Sequence, residues 1–236
     1  KNAENIMIVG TGLIAEIVRH IDFLDKFIVH AAGVSDSLST DQVEFDRDLD
    51  SVTKSLSLNK PLLYFSSQGC KDLASSLHYY KHKKIIEDLI LHTSPRSIII
   101  RFPQVASSGG NPRNLLNSFY NSLLREEVIF CNPGVVRNLI LDQHICTVVQ
   151  YLAQNDLTGI FSFCSPYDYS AVEIIKCMEY LTGIKAKIKF YDSQQQVLIQ
   201  NMSFCTSVEL QKLSGDLFLK NRQSYLEWVI SRAIST

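Results

Sequence analysis

Asn5-Ile6-Met7-Ile8-Val9 runs directly into Gly10-Thr11-Gly12 and then into Leu13-Ile14-Ala15-Glu16-Ile17-Val18. The first five residues have the length and apolarity of a buried strand, and the last six carry apolar side chains at helical spacing. Two glycines one residue apart at that junction, in the pattern G-x-G-x-x-A, are the turn that lets a backbone approach a pyrophosphate. The helix N-terminus behind them offers free N–H groups and partial positive charge. Glycines can also serve a tight strand-to-helix turn for its geometry alone.

Working outward, apolar runs of strand length recur at 27–30, 62–65, 97–101 and 160–163. Helix-compatible segments stand between them at 40–56 and 79–91, and 139–153 reads as a return to the core. Strands that are nearly all apolar and alternate with helices predict a Rossmann-like parallel sheet covered on both faces, an α/β fold. After Phe102-Pro103 the texture changes to a Gly/Ser/Asn/Pro-rich stretch at 104–114, followed by a helix at 115–124 and a strand at 128–130. Ser170-Ala171-Val172-Glu173 is a capping box opening a helix that stops at Thr182-Gly183. The expected division is a dinucleotide-binding domain at 1–103, to which 139–166 returns, and a small C-terminal substrate lobe from 104–138 and 167–236. The second and third strands of such a sheet have no counterpart here: either this half of the nucleotide fold is truncated, or a segment is missing from the chain. The acidic residue that ends a second strand about 20 positions after the first glycine has no counterpart, because position 30 is His30, already at the end of the next strand.

The 236 residues carry a formal net charge of -1, with 46% hydrophobic and 20% charged residues. That composition is ordinary for a globular protein and gives no footprint for nucleic acid or an anionic membrane surface. No apolar run reaches the length of a membrane span. Cysteines at 70, 131, 146, 164, 177 and 205 form no C-x-x-C pair, so no metal site is expected and the thiols are read as small buried hydrophobes in a reducing cytoplasm. The start at Lys1, without Met or a signal-type apolar region, gives the expectation of a trimmed or processed chain.

Tyr79-Tyr80-Lys81-His82-Lys83-Lys84 contains two overlapping Y-x-x-x-K pairs. Residues i and i+4 share one helix face, so each pair sets an ammonium near a phenol. A nearby positive charge favours phenolate and lowers a phenol toward the working pH, as a general acid/base for alcohol–ketone chemistry requires. Ser66 or Ser67, ending the preceding strand, could hydrogen-bond the same substrate oxygen. The alternative is a basic, solvated helix face beside a Ser-rich turn.

Taken in order, these pieces resemble the extended short-chain dehydrogenase/reductase superfamily, in its nucleotide-sugar epimerase/dehydratase branch. Val9 to Ala15 resembles its glycine motif, one residue short, and His30-Ala31-Ala32-Gly33 its fourth-strand ending. Tyr64-Phe65-Ser66-Ser67-Gln68-Gly69 is similar to the fifth-strand motif, whose second Ser is catalytic. Tyr79-x-x-x-Lys83-x-x-x-Glu87-x-Leu89-Ile90 is similar to the tyrosine helix and selects Tyr79 over Tyr80, although only 12 positions separate Ser67 from Tyr79. Arg101-Phe102-Pro103-Gln104-Val105 and Arg137-Asn138-Leu139-Ile140-Leu141-Asp142 resemble two further signatures. The resemblance implies Ser67, Tyr79 and Lys83 as the catalytic group. It implies Gly10, Gly12 and Ala15 facing a pyrophosphate, with Ala32 and Lys83 also on the cofactor, NAD or NADP. Arg137 would meet a sugar nucleotide's diphosphate, with Gln104 and Asn117 as further substrate contacts. The implied activity is a cytoplasmic nucleotide-sugar 4-keto reductase or epimerase of polysaccharide biosynthesis, in preference to a dehydratase, because Gln68-Gly69 stands where a dehydratase carries an acidic pair. Homodimerisation is left open. The competing expectation is a binding or regulatory protein that kept the fold and lost turnover. A Ser hydrolase is excluded by the lack of a G-x-S-x-G elbow around Ser66 or Ser67.

Overall fold

A computed structural model describes residues 6–22, 24–71, 77–108, 114–191 and 206–235. In chain order it runs β1 (Met7–Val9), α1 (Leu13–Val18), β2 (Ile28–His30), α2 (Gln42–Leu56), β3 (Leu62–Ser67), α3 (His78–Thr93) and β4 (Ile98–Phe102). There follow β5 (Gln104–Ala106), α4 (Leu115–Leu124), β6 (Val128–Cys131), β7 (Val136–Leu141), α5 (Asp142–Gln154) and β8 (Gly159–Ser162). The chain ends with β9 (Asp168–Ser170), α6 (Ala171–Thr182), β10 (Lys187–Phe190), α7 (Gln211–Leu217) and α8 (Arg222–Ile234). The expected strand start at Asn5 lies outside the described residues, as do positions 109–113 of the 104–114 stretch. Lys1–Phe102 with Gln143–Phe163 makes one compact unit, and Pro103–Asp142 with Cys164–Thr236 a second.

The first unit is built on a five-stranded sheet, ordered β1-β2-β3-β4-β8 and parallel throughout. Parallel pairing brings residues of like direction side by side, so Val9, Ile28, Leu62, Tyr64, Ile99 and Ile160 share one face. They pack with Val52 and Leu56 of α2 and Ile86 and Ile90 of α3. The intervening residues Val29, Leu63, Ile98, Ile100 and Phe161 point the other way and are also buried. On that side lies α5, whose His144 ring stands 6.5 Å from Phe163, and Cys146 Sγ reaches Ile17 O of α1 at 3.6 Å. Both faces are therefore covered, as expected for nearly continuous apolar strands.

β1 is the exception. It has one neighbour, β2, among the described residues, Met7 is 45% exposed, and the fully buried strands begin with β2. The glycine turn follows β1 directly. Gly10 has φ +120°, and a Cβ there would lie 2.7 Å from the backbone of Ala31 and Ala32. Ala31 N–H donates to Val9 O at 2.8 Å, so the turn and the end of β2 are locked backbone to backbone.

The second unit has a three-stranded sheet in which β7 pairs parallel with β5 and antiparallel with β9, and a separate parallel pair, β6 with β10. Because all of β7 is held by β5 and β9, the return to the first unit begins at Gln143, not at residue 139. The capping box at Ser170 and Glu173 is formed, and Gly183 closes α6 in the left-handed region at φ +74°. Tyr225 of α8 donates to Leu139 O at 2.9 Å from a fully buried position.

The two turn glycines should respond differently to a methyl group. Gly10→Ala meets both a left-handed φ and a backbone clash, and should cost at least ~2 kcal/mol, several degrees in Tm. Gly12 has φ −83° and a Cβ added there would meet nothing within 4 Å, so Gly12→Ala should move stability by no more than about 0.5 kcal/mol. Thermal melts of the two variants check this, and equal losses would contradict it.

Candidate active site

Ala31-Ala32-Gly33, leaving the carboxyl end of β2, is flanked on both sides. Gly10 presses against Ala31 and Ala32 from the glycine turn. On the far side Gly33, with φ +139°, leaves its missing side chain's place to others: a Cβ there would lie 2.9 Å from Lys83 Nζ and 3.2 Å from Asp48 Oδ1. One three-residue segment thus joins the glycine turn to the helix that carries Tyr79 and Lys83. Among the described residues no atom lies within 4 Å of a Cβ built on Gly12, so the space over that part of the turn is open.

On α3, Tyr79 and Lys83 stand one turn apart, and Lys83 Nζ lies 5.9 Å from the centre of the Tyr79 ring. The ammonium is buried, donates to Tyr64 Oη at 2.8 Å and stands 3.7 Å from Asp48 Oδ2. His82 Nε2 donates to the same carboxylate at 3.0 Å. Burial works to raise the Asp48 carboxyl, but the His82 hydrogen bond and the Lys83 charge hold it below the usual range. Burial lowers Lys83, with Asp48 opposing. Burial pushes the Tyr79 phenol well above its ordinary value, with Cys70 and Tyr80 adding to the rise. The expectation that Lys83 would bring this phenol down is not met here, because the ammonium is turned to Tyr64 and Asp48.

Tyr80 has a different place. Its ring fills the volume of a Gly69 side chain, with ring carbons overlapping the position of that Cβ. Ser67 ends β3, and its Oγ accepts from Gly69 N–H at 3.4 Å. Ser66 points to the α3 side and donates to Glu87 Oε1 at 2.6 Å. Glu87, fully buried, also accepts from Arg101, through Nε at 2.8 Å and through Nη2 on its second oxygen. The structure therefore places Tyr79, Lys83, Ser67 and the glycine turn around the carboxyl ends of β1, β2 and β3.

One sequence expectation needs restating. Ala15 is fully buried, so it packs α1 against its neighbours and does not face an open pyrophosphate position. Ala32 is half-buried beside Gly10. Gln104, Asn117 and Arg137 all belong to the second unit. Gln104 Nε2 donates to Val105 O at 3.4 Å, Asn117 N–H donates to the capping Asn114 side chain at 2.9 Å, and Arg137, half-buried and opposite Tyr169, donates to Val136 O at 3.0 Å. Asp48, His82 and Tyr64 were not foreseen. A signal existed for Asp48: it lies on the stripe of Phe45, Val52 and Leu56 that buries α2, where a carboxylate needs a partner.

No protein-family model and no curated protein matches the chain. Solved structures do. "RMD from Pseudomonas aeruginosa complexed with NADPH" superposes with a TM-score of 0.73 at 12% identity, covering 96% of this chain and 97% of that one. A UDP-N-acetylglucosamine 4-epimerase from Methanobrevibacter ruminantium gives 0.67 at 13% identity, over 92% and 81%. A Thermus thermophilus UDP-glucose 4-epimerase with NAD gives 0.67 at 12%, over 88% and 77%. The chain has the fold of these proteins. It is the fold that the sequence resemblance implied, and at these identities the likeness speaks for the fold alone. Among the described residues no helix is long and apolar enough to cross a membrane.

Burial beside the site also sets a pH dependence. His30 is fully buried, with Nδ1 3.0 Å from Ser55 Oγ, and desolvation lowers it from 6.5 to about 4. Between those values the unfolded chain takes up a proton that the folded chain refuses, so stability is full above pH 6.5 and falls as pH drops toward 4. The loss should be about 3 kcal/mol. Urea unfolding at a series of pH values measures it, and His30→Asn should flatten the slope in that window; an unchanged slope would contradict the assignment.

Proposed function

We propose that the chain is a nicotinamide-dependent oxidoreductase or epimerase acting on a nucleotide-activated sugar. The observation that carries this reading is the flanking of Ala31–Gly33 by the glycine turn on one side and the Tyr79–Lys83 pair on the other. The open space over Gly12 and the amine at Gly33 fit the pyrophosphate and nicotinamide ribose of NAD or NADP. The fold neighbours include proteins held with NADPH, with NAD and with UDP-sugars.

A bound nicotinamide would carry the hydride. Tyr79 would then supply or remove the proton at the sugar oxygen. With its phenol held high by burial, Tyr79 keeps its proton at neutral pH and suits the acid's part in reducing a 4-keto group. Ser67 Oγ would hydrogen-bond the same oxygen, and Lys83 would hold the ribose and keep positive charge under the Tyr79 ring. In the second unit, Arg137 would pair its planar guanidinium with diphosphate oxygens, and Gln104 and Asn117 would contact the substrate. Dehydration is the least favoured chemistry, since Gln68 and Gly69, buried in the 3-10 turn after Ser67, offer no acid. The commitment of Lys83 to Tyr64 and Asp48 favours a second reading, a binding protein of reduced turnover on the same fold.

Incubation with NADH or NADPH and UDP-, GDP- or dTDP-linked 4-keto sugars, with product analysis, separates the two. Turnover supports the enzyme, and tight binding without turnover supports the binding protein. In the enzyme, Tyr79→Phe should cut turnover by about 100-fold or more. Arg137→Ala should weaken nucleotide-sugar binding by roughly 1.5–3 kcal/mol while leaving nicotinamide binding unchanged, as calorimetric titration of each ligand would register.

A further inference from the structure

In a doubly wound sheet the chain leaves the glycine turn for a second strand beside the first, and an acidic residue at its end binds the adenosine ribose. Here the whole connection from Gly10 to Phe27, described except for Phe23, holds a single six-residue helix before β2 begins. The residue 20 positions after Gly10 is His30, and it cannot take the carboxylate's part. Its ring is fully buried on the α2 and α3 face, bound to Ser55 and 5.9 Å from the Tyr64 ring. The charged residues of α1 and its C-cap, Glu16 and Arg19, meet each other at 3.4 Å on the surface. Asp48 is held by His82 and Lys83. By contrast the turn at Gly10–Gly12, Ala31–Gly33, Tyr79 and Lys83 are gathered at one end of the first three strands.

We infer that the site recognises the nicotinamide mononucleotide half of a cofactor and not its adenosine half. The inference rests on the nicotinamide reading above and adds which part of the molecule this chain reads. With His30 buried, Glu16 and Arg19 paired with each other and Asp48 held by His82 and Lys83, none of these four serves the adenosine 2′-position, and NADH and NADPH should bind alike. Removing adenosine monophosphate from the ligand removes little that the protein holds.

Calorimetric titration of the full chain with NADH, NADPH, reduced nicotinamide mononucleotide and ADP-ribose tests this. NADH and NADPH should bind within about threefold of each other and reduced nicotinamide mononucleotide within about tenfold, a difference of no more than about 1.4 kcal/mol. ADP-ribose should bind more weakly than reduced nicotinamide mononucleotide. A preference of about 30-fold or more between NADH and NADPH, or ADP-ribose binding as tightly as NADH, overturns the inference and leaves the nicotinamide reading standing. Failure of all three nicotinamide ligands to bind at millimolar concentration overturns both.

Discussion

A buried ammonium constrains this protein more than any other single group. Lys83 is removed from water, and an unpaired charge there would cost several kcal/mol. Its partners come from three elements: Asp48 on α2, Tyr64 on β3 and the missing side chain of Gly33 after β2. Each can serve only if those elements hold their register. One turn further along the same face, Glu87 ties α3 to Ser66 of β3 and Arg101 of β4 in a second buried network. Between them the two networks fix α3 against three successive strands, with the Tyr79 ring set at the helix start.

This explains why the elements of the first unit were legible while their polar wiring was not. Apolar runs at 27–30, 62–65 and 97–101 announce strands because burial on both faces demands them. The helical period of 79–91 gives α3 to within two residues at each end. The i, i+4 spacing of Tyr79 and Lys83 shows that they share a helix face, and says nothing of which oxygen the ammonium will choose. That choice is made by Asp48, 35 residues earlier, whose position on an apolar stripe was the only hint. β5 and β9 were hidden for another reason. Each is three residues long, within loop-like or polar sequence, and exists because β7 pairs with it. Ala15 shows a motif position carrying a packing role: a small residue lets the helix come close, whatever the turn binds.

The sheet also carries a mark of its shortened half. Its strands step in one direction from β1 to β8, and right-handed crossovers alone would then line every helix along one face. α2 and α3 do lie together, but α1 lies with α5 on the opposite face. The β1–α1–β2 connection, like the α5 segment that leads into β8, therefore carries its helix on the face opposite to that of β2–α2–β3. In a full doubly wound sheet α1 leads to a strand on the outer side of β1, where that face is the natural one. Here α1 keeps the face and the chain goes to the inner side, which leaves β1 at the edge and its Met7 partly bare.

Strand order running parallel to chain order also affects assembly. From β1 to β4 every pairing joins consecutive strands, so each can close as soon as its second partner is made, with modest loops to order. β8 is different, since its partner β4 lies on the near side of the entire 103–142 segment. The first four strands with α2 and α3 can thus condense as they leave the ribosome. The sheet's far edge, the Ile98–Phe102 side of β4, must wait unpaired until the second unit's first segment has been synthesised and the chain comes back.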